Sequence, residues 1–132
     1  MNIVSDLKTF IMASPAPALT TMTMDAFGAT MESLKIVGDP SSGTVTEFID
    51  GSTTGTQVVS VYARSKNPAT ALTALDTIRK KLDGAKITLT EVLFMETEIG
   101  TLPAYVSKED TGEFIYTMTV NVNFDGKNPT GV

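Results

Sequence analysis

Residues 113–125 carry the pattern that most restricts how the chain can fold, a strict alternation of apolar and polar side chains. A period of two predicts a β-strand with one buried face, which is typical of an antiparallel sheet. At about 3.3 Å per residue the strand spans roughly 40 Å, which is long for a small domain. A strand of this length can extend beyond its own core towards a neighbouring subunit. Its apolar face consists of Phe114, Tyr116, Met118, Val120, Val122 and Phe124, while Ile115 stands among the polar residues of the other face.

Residues 44–83 form a second organised unit, predicted as strand, turn, strand and helix. Residues 44–50 and 56–64 are rich in β-branched and aromatic residues and predict a hairpin, with Gly51 and Gly55 bracketing its turn. The helix that follows is expected over 68–83, because an Asn-Pro pair suits its start and a glycine follows its end. One apolar stripe implies that this helix lies on a sheet face. The residues behind these expectations are Asn67, Pro68 and Gly84 at the ends, and Ala71, Leu72, Leu75, Ile78 and Leu82 in the stripe.

The rest of the chain supplies one more helix and several strands. Apolar residues at helical spacing predict an amphipathic helix at the beginning, and alternation predicts the strands. Pro103 interrupts the third of these strands, which suggests a sheet edge or a bulge. The predicted elements are a helix over 1–12 and strands over 32–37 (Leu34 and Ile36 inward), 86–94 and 98–107.

Together these elements predict a single α+β domain over residues 1–126. Two helices can cover one face of a mostly antiparallel β-sheet, which gives a two-layer sandwich. Residues 127–132 carry no core signal, so we expect a flexible C-terminal tail.

The composition excludes several kinds of site. The 132 residues include no cysteine and no histidine, so neither a zinc site nor a disulfide is expected, and the commonest general base near neutral pH is missing. There is no Gly-x-Ser-x-Gly elbow and no Walker-type phosphate loop. We therefore expect no catalytic residue, no metal site and no cofactor. The candidates for an acidic site are Glu47 with Asp50, Glu96 with Glu98, and Glu109 with Asp110, all of which are better explained as surface residues.

Charge and hydropathy restrict the kinds of binding partner that the chain can have. A net charge of −5 argues against nucleic-acid binding through the overall field, since phosphate neutralisation needs clustered cations. The one basic cluster, residues 79–81, is predicted as the solvated last turn of a helix. No apolar run approaches roughly 20 residues and the N-terminus lacks the pattern of a secretory signal, so no membrane association is expected.

Residues 18–43 are the least regular part of the sequence. Threonine and methionine alternate from 19 to 24, which fits either a loop or a short edge strand. The alternative is an adaptable contact surface, because methionine packs against irregular partners. We include Met22 and Met24, together with Glu47 and Asp50, in a hypothetical partner-contact loop.

The predicted hairpin is apolar on both faces, which two helices on one side cannot cover. Part of this surface should therefore be buried by another chain. A symmetric homo-oligomer is the simplest answer, and a head-to-tail ring would use two different patches of each subunit. The hypothetical interface consists of Phe48, Ile49, Val58, Tyr62 and Ile115.

Residues 56–124 carry a resemblance to a known family. Val59-Ser60-Val61-Tyr62-Ala63-Arg64-Ser65 runs directly into an Asn67-Pro68-Ala69 helix start, and Leu82-Asp83-Gly84 closes that helix. Leu102-Pro103-Ala104-Tyr105-Val106 and a turn then precede the final strand from Gly112. With its N-terminal amphipathic helix, this order resembles the tail terminator proteins, also called tail-completion or minor capsid proteins, of long-tailed bacteriophages and prophages.

The resemblance implies a structural virion protein. Such proteins form a hexameric ring on the head-proximal end of the tail tube, stop its polymerisation and present a surface for head–tail joining. The implied partners are further copies of the chain, the tail tube protein and the head–tail connector or stopper, and DNA passes through the channel without specific binding. Assembly would take place in the host cytoplasm. Residues 13–43 depart from the family pattern.

Two kinds of alternative stay open at this point. The chain could be another ring component, such as a stopper or a tube subunit, because these proteins share sheet-plus-helix rings. A small soluble binding module or an acidic-site enzyme belongs to a different class, which a monomeric mass in solution would favour.

Overall fold

The computed structural model describes residues 3–13, 19, 21–27, 32–38, 44–47, 53–87 and 92–126. Within these ranges the chain forms two helices and seven strands. In chain order they are α1 (Ile3–Met12), β1 (Met22–Met24), β2 (Ser33–Gly38), β3 (Thr44–Glu47), β4 (Thr53–Ser65), α2 (Pro68–Leu82), β5 (Lys86–Ile87), β6 (Val92–Lys108) and β7 (Phe114–Gly126).

The strands form one sheet in the order β1-β2-β4-β7-β6-β5. All neighbours are antiparallel except β1 and β2. Strand β4 pairs along its whole length with β7, so β2 and β3 share its other edge, β3 beside 53–56 and β2 beside 59–64. The mostly antiparallel α+β fold predicted from the sequence is confirmed.

Both helices pack on one face of this sheet, as predicted. Alternation along β7 and β4 directs every second side chain under the helices. The other face, called the open face below, carries Val58, Ser60 and Tyr62 from β4. The core beneath the helices includes Leu34, Ile36, Val59, Val61, Ala63, Met118, Val120, Val122 and Phe124 from the sheet, and Leu7, Ile11, Ala71, Ala74, Leu75, Ile78 and Leu82 from the helices.

Helix α2 begins and ends where the sequence predicts. The side chain of Asn67 accepts a hydrogen bond from the backbone N–H of Ala69 at 3.0 Å, which satisfies one of the free N–H groups of the first turn. Pro68 occupies the first turn, and Gly84 follows the end with φ +70°, a conformation that suits glycine. The inclusion of Leu72 in the buried stripe was wrong, because Leu72 is 38% exposed.

The basic cluster of α2 is engaged in the structure rather than fully solvated. Arg79 and Lys80 pair with Asp76 at 2.7 and 3.2 Å. The Lys81 ammonium donates to the carbonyl of Ala13 at 2.7 Å. Helix α1 has no basic residue in its own last turn, so Lys81 supplies the positive charge that favours a helix C-terminus.

The predicted strand over 86–94 was wrong. Lys86 pairs with Glu96 and Ile87 with Met95 in antiparallel register, so residues 86–87 and 92–94 belong to two different strands. Residues 88–91, Thr-Leu-Thr-Glu, contain none of the usual turn residues, which is why alternation alone merged the two arms. Gly55 was also misassigned to the turn, since it lies within β4 opposite Val45.

Pro103 lies where a proline can be accommodated in a sheet. The ladder between β6 and β7 shifts register between Thr101 and Ala104, and β5 pairs only with Met95 and Glu96. Among the described residues, therefore, no strand covers the outer edge of β6 from Glu98 to Lys108. This agrees with the predicted edge or bulge. The expected tail over 127–132 lies outside the described residues, as do Gly51 and most of the hairpin turn.

Candidate assembly surfaces

Exposed apolar side chains are concentrated on β6 in the described part of the chain. Leu102 is 67% exposed and Tyr105 is 58% exposed. We call these two residues, with Val106 of the same strand and Leu72 of α2, the β6 patch. Apart from Met24, these are the exposed large hydrophobic residues in the described part of the chain. Such a concentration of exposed apolar side chains is typical of interaction surfaces.

Tyr105 of the β6 patch is held in place by a neighbouring ring. Tyr105 lies directly opposite Tyr116 in the ladder, and the two rings meet edge to face with centroids 5.8 Å apart. Because Tyr116 packs against the core, Tyr105 stands on the helix side of the sheet. Aromatic residues fixed in this way lose little entropy when a partner covers them.

Helix α2 adds a charged rim to this patch. Leu72, Leu102 and Pro103 line an open groove of about 540 Å³ with Asp76 and Arg79. Hydrogen bonds from Arg79 and Lys80 lower the pKa of Asp76, so this carboxylate is charged at neutral pH and is balanced by its own helix. An apolar floor beside a neutralised polar rim is the usual composition of a protein interface.

A cluster of cations and aromatic rings covers one corner of the open face. The Lys35 ammonium lies 4.8 Å from the ring centroid of Phe27 and 4.3 Å from that of Tyr62. The Arg64 guanidinium lies 4.4 Å from the Phe27 centroid and donates to Ser33 Oγ at 3.4 Å. These contacts fix two cations near the β1 edge of the sheet.

The five residues of the hypothetical interface do not form one exposed surface in a single chain. Val58 and Tyr62 are half-buried on the open face, and Tyr62 lies beneath Lys35. Ile115 is only 7% exposed, so little of it is available to a second chain. Phe48 and Ile49 lie outside the described residues.

The hypothetical partner-contact loop is also divided. Met22 is 5% exposed and belongs to the core, because it pairs with Leu34 beneath α1. Met24 is 40% exposed at the end of β1, so a partner can reach it. Glu47 pairs with Thr53 in the β3–β4 ladder, and Asp50 lies outside the described residues.

One buried carboxylate stands apart from the core. Glu113 is 2% exposed, and its Oε1 has no hydrogen-bond partner within the described part of the chain. The hydroxyl of Thr111 donates to Oε2, and this bond is the main cause that lowers the pKa of Glu113, against burial, which raises it. The charges of Lys66 and Arg64 act in the same direction as Thr111.

The described residues hold no metal-binding cluster of three or more His, Cys, Asp or Glu side chains. In the same part of the chain, neither helix has the length and apolarity that crossing a membrane requires.

The sequence interpretation missed the β6 patch as a surface. Its signal was present, because residues 102–106, Leu-Pro-Ala-Tyr-Val, are five apolar residues in a row. Such a run places apolar side chains on both faces of the strand. Neighbouring elements would cover them in a central strand, but at the edge of the sheet they stay exposed. Recognising it required knowing that β6 lies at the edge.

Comparisons with known proteins identify the family of the chain. The curated proteins include no match to the chain. The family model described as bacteriophage tail terminator protein matches residues 18–125. This match extends over more than four fifths of the sequence and includes all seven strands and α2. The chain therefore belongs to the bacteriophage tail terminator family.

Proposed function

We propose that this protein caps the head-proximal end of the phage tail tube as a homohexameric ring. The ring stops tube polymerisation and forms the surface on which the head–tail connector docks. Membership of the tail terminator family over residues 18–125 carries this proposal. The exposed β6 patch supports it, because a monomer has no use for a fixed apolar surface of this kind.

The protein acts as a building block in this proposal and not as an enzyme. Its partners are its own copies, the tail tube protein and the connector or stopper, and its location is the virion. DNA passes through the channel without specific contacts, which suits a chain of net charge −5, since an acidic wall does not hold phosphate.

The open face supplies part of the subunit contact in this proposal. Val58 and Tyr62 lie there, and Tyr62 lies beneath Lys35. Phe48 and Ile49 are assigned to the same interface, and Ile115 is left out because it is only 7% exposed. Met24, with Glu47 and Asp50, is assigned to the contact with tube or connector, and Met22 is left out because it is only 5% exposed.

The direct test is to add the purified chain to polymerising tail tube protein and measure tube length by negative-stain microscopy. We expect tubes that shorten as the chain is added, each with extra density at one end. If the chain instead joined along the length of growing tubes, it would be a tube subunit. Tubes of unchanged length and composition would overturn the proposed function.

Tyr62→Asp provides a variant for the same assay. We expect it to lose capping while its circular-dichroism melt stays close to that of the natural chain, because Tyr62 is only half-buried. If the melt were lost instead, Tyr62 would be a core residue, and its assignment to the interface would be incorrect.

A further inference from the structure

The outer edge of β6 is the longest uncovered strand edge in the described part of the chain. Strand β5 pairs with β6 only at Met95 and Glu96. From Glu98 to Lys108 the outer edge has no neighbouring strand among the described residues, over a length of roughly 35 Å. The other strands at the margins of the sheet, β1, β3 and β5, have only three, four and two residues. An uncovered strand presents unpaired backbone N–H and C=O groups, which can pair with a strand of a second chain.

The sequence of this edge favours such pairing. Residues 99–107 carry no charged side chain, and several of their apolar side chains are exposed. Uncharged runs of this kind add strands readily when they contain no proline. The flanking charges give no protection, because in a regular antiparallel pair of two β6 strands centred on Pro103, Glu98 of each copy would lie opposite Lys108 of the other. Opposite charges that face each other across a strand pair attract.

Pro103 stands in the middle of this run. It has no backbone N–H, so it cannot donate a hydrogen bond to a neighbouring strand. The backbone beside it is also irregular, because the ladder between β6 and β7 shifts register between Thr101 and Ala104 and at three other places. Proline and bulges are two of the features by which natural sheets keep an edge strand from pairing.

The bulge next to Pro103 is held by contacts with β7. The backbone N–H of Thr119 donates to the Thr101 hydroxyl at 3.1 Å, and the two hydroxyl oxygens lie 2.9 Å apart. A Cβ atom added to Gly100 would lie 2.7 Å from Thr119 Oγ1, so the two strands approach each other closely at a glycine. These contacts fix the irregular part of the edge in the folded chain.

We propose that Pro103 prevents the backbone of β6 from pairing with a strand of another copy, while the apolar side chains of β6 stay exposed. A charged residue at this position would also discourage pairing, but it would place a charge within the β6 patch. Proline and a bulge block the backbone and leave Leu102, Tyr105 and Val106 apolar. This role of Pro103 does not depend on the proposed capping of tail tubes.

Replacing Pro103 by valine tests this role. Pro103→Val restores the backbone N–H and completes an uncharged run with high strand propensity. We expect intermolecular β-sheet, detected by infrared spectroscopy, to appear at a protein concentration at least about tenfold lower than for the natural chain. Tenfold corresponds to about 1.4 kcal/mol, which is the net contribution of roughly one hydrogen bond.

Ala104→Val is the matched control. It adds the same side chain at the neighbouring position, which is exposed, and leaves the proline in place. We expect it to form intermolecular β-sheet only at the concentration at which the natural chain does. Circular-dichroism melts at low concentration check that both variants fold. If Pro103→Val does not fold, Pro103→Ala restores the same N–H with a smaller side chain and takes its place.

The natural chain provides a measurement that needs no variant. Its infrared spectrum should show no additional β-sheet signal as the concentration rises, even where light scattering shows that copies associate. An additional signal would show that the edge pairs despite Pro103 and would overturn the proposal.

Two outcomes with the variants would also overturn it. If Pro103→Val formed intermolecular β-sheet only at the concentration of the natural chain, the missing N–H would not be what prevents pairing. If Ala104→Val formed it as readily as Pro103→Val, the apolar character of the run would decide and not the proline. None of these measurements uses tube length, so the role of Pro103 and the proposed function are tested separately.

Discussion

Replacing Thr97 by valine tests how the end of α2 is joined to the sheet. Thr97 is fully buried on β6, and its hydroxyl donates to the carbonyl of Leu82 at 2.6 Å. Two backbone bonds lie beside it, from Gly84 N to the Thr97 carbonyl and from Thr97 N to the Ala85 carbonyl. The last carbonyls of a helix have no partner within the helix. The Leu82 carbonyl has two partners beyond it, the Thr97 hydroxyl and the backbone N–H of Ala85 at 3.2 Å.

The expected loss follows from this burial. Valine keeps the shape of threonine but leaves the Leu82 carbonyl without the hydroxyl donor. The carbonyl keeps its hydrogen bond from the Ala85 N–H, so the loss is that of one buried hydrogen bond, and we expect Thr97→Val to lower the free energy of unfolding by about 1 kcal/mol. The assay is urea unfolding followed by circular dichroism. With a slope of about 2 kcal/mol per M, the midpoint should fall by about 0.5 M while the slope stays unchanged.

A control variant on the same strand isolates the effect of burial. Thr101→Val removes a hydroxyl from the same strand, but Thr101 is exposed, and water can replace its bond to Thr119. Its change should stay within about 0.5 kcal/mol. If Thr97→Val were as stable as the natural chain, or if Thr101→Val cost as much, the argument from burial would be refuted.

Three further substitutions test other contacts. Asn67→Ala should lower the free energy of unfolding by about 1 kcal/mol, because it removes the cap on α2. Asn67→Asp keeps a capping oxygen and should retain most of the stability of the natural chain. Thermal unfolding measures both variants. Lys81→Met should also lower the free energy of unfolding by about 1 kcal/mol, because it removes the charge at the end of α1. Lys80→Met should cost less, because the Lys80 side chain is 70% exposed. Equal losses for the two variants would contradict the capping role of Lys81. Glu113→Gln should be less stable than the natural chain at neutral pH, and the difference should shrink as pH falls below the ordinary carboxyl pKa of 4.5, because the Thr111 hydrogen bond lowers the pKa of Glu113. A difference independent of pH would show that the charge of Glu113 contributes nothing to stability.

The parts of the fold that the sequence predicted correctly are those fixed by local chemistry. Alternation identified β7 and its buried face, and the Asn67-Pro68 start and Gly84 end of α2 were recognised from residues adjacent in the chain. The fold class followed because two amphipathic helices and several alternating strands have few ways to bury their apolar faces together. None of these predictions required knowledge of which strands are neighbours.

The errors came where tertiary arrangement decides. The segment over 86–94 alternates across two different strands, so its period did not show where β5 ends and β6 begins. Leu72 has the spacing of a core residue, but β6 does not cover it and its side chain stays exposed. Met22 and Met24 are equivalent in the sequence, and only the pairing of β1 with β2 buries one and exposes the other.

The candidate interface shows the same division more sharply. The hairpin was chosen because it is apolar on both faces, and that observation is correct for β4. Burial, however, depends on which residues the fold packs against each face, and the Lys35 side chain covers part of the Tyr62 ring on the open face. The run over 102–106 has the same apolar character, but it lies in a strand whose outer edge has no neighbour in the described part of the chain. An apolar strand in the middle of a sheet stabilises its own chain, whereas an apolar strand at the edge can pack its exposed side chains against another chain. The position of β6 in the sheet, more than its composition, therefore makes it the stronger candidate for assembly.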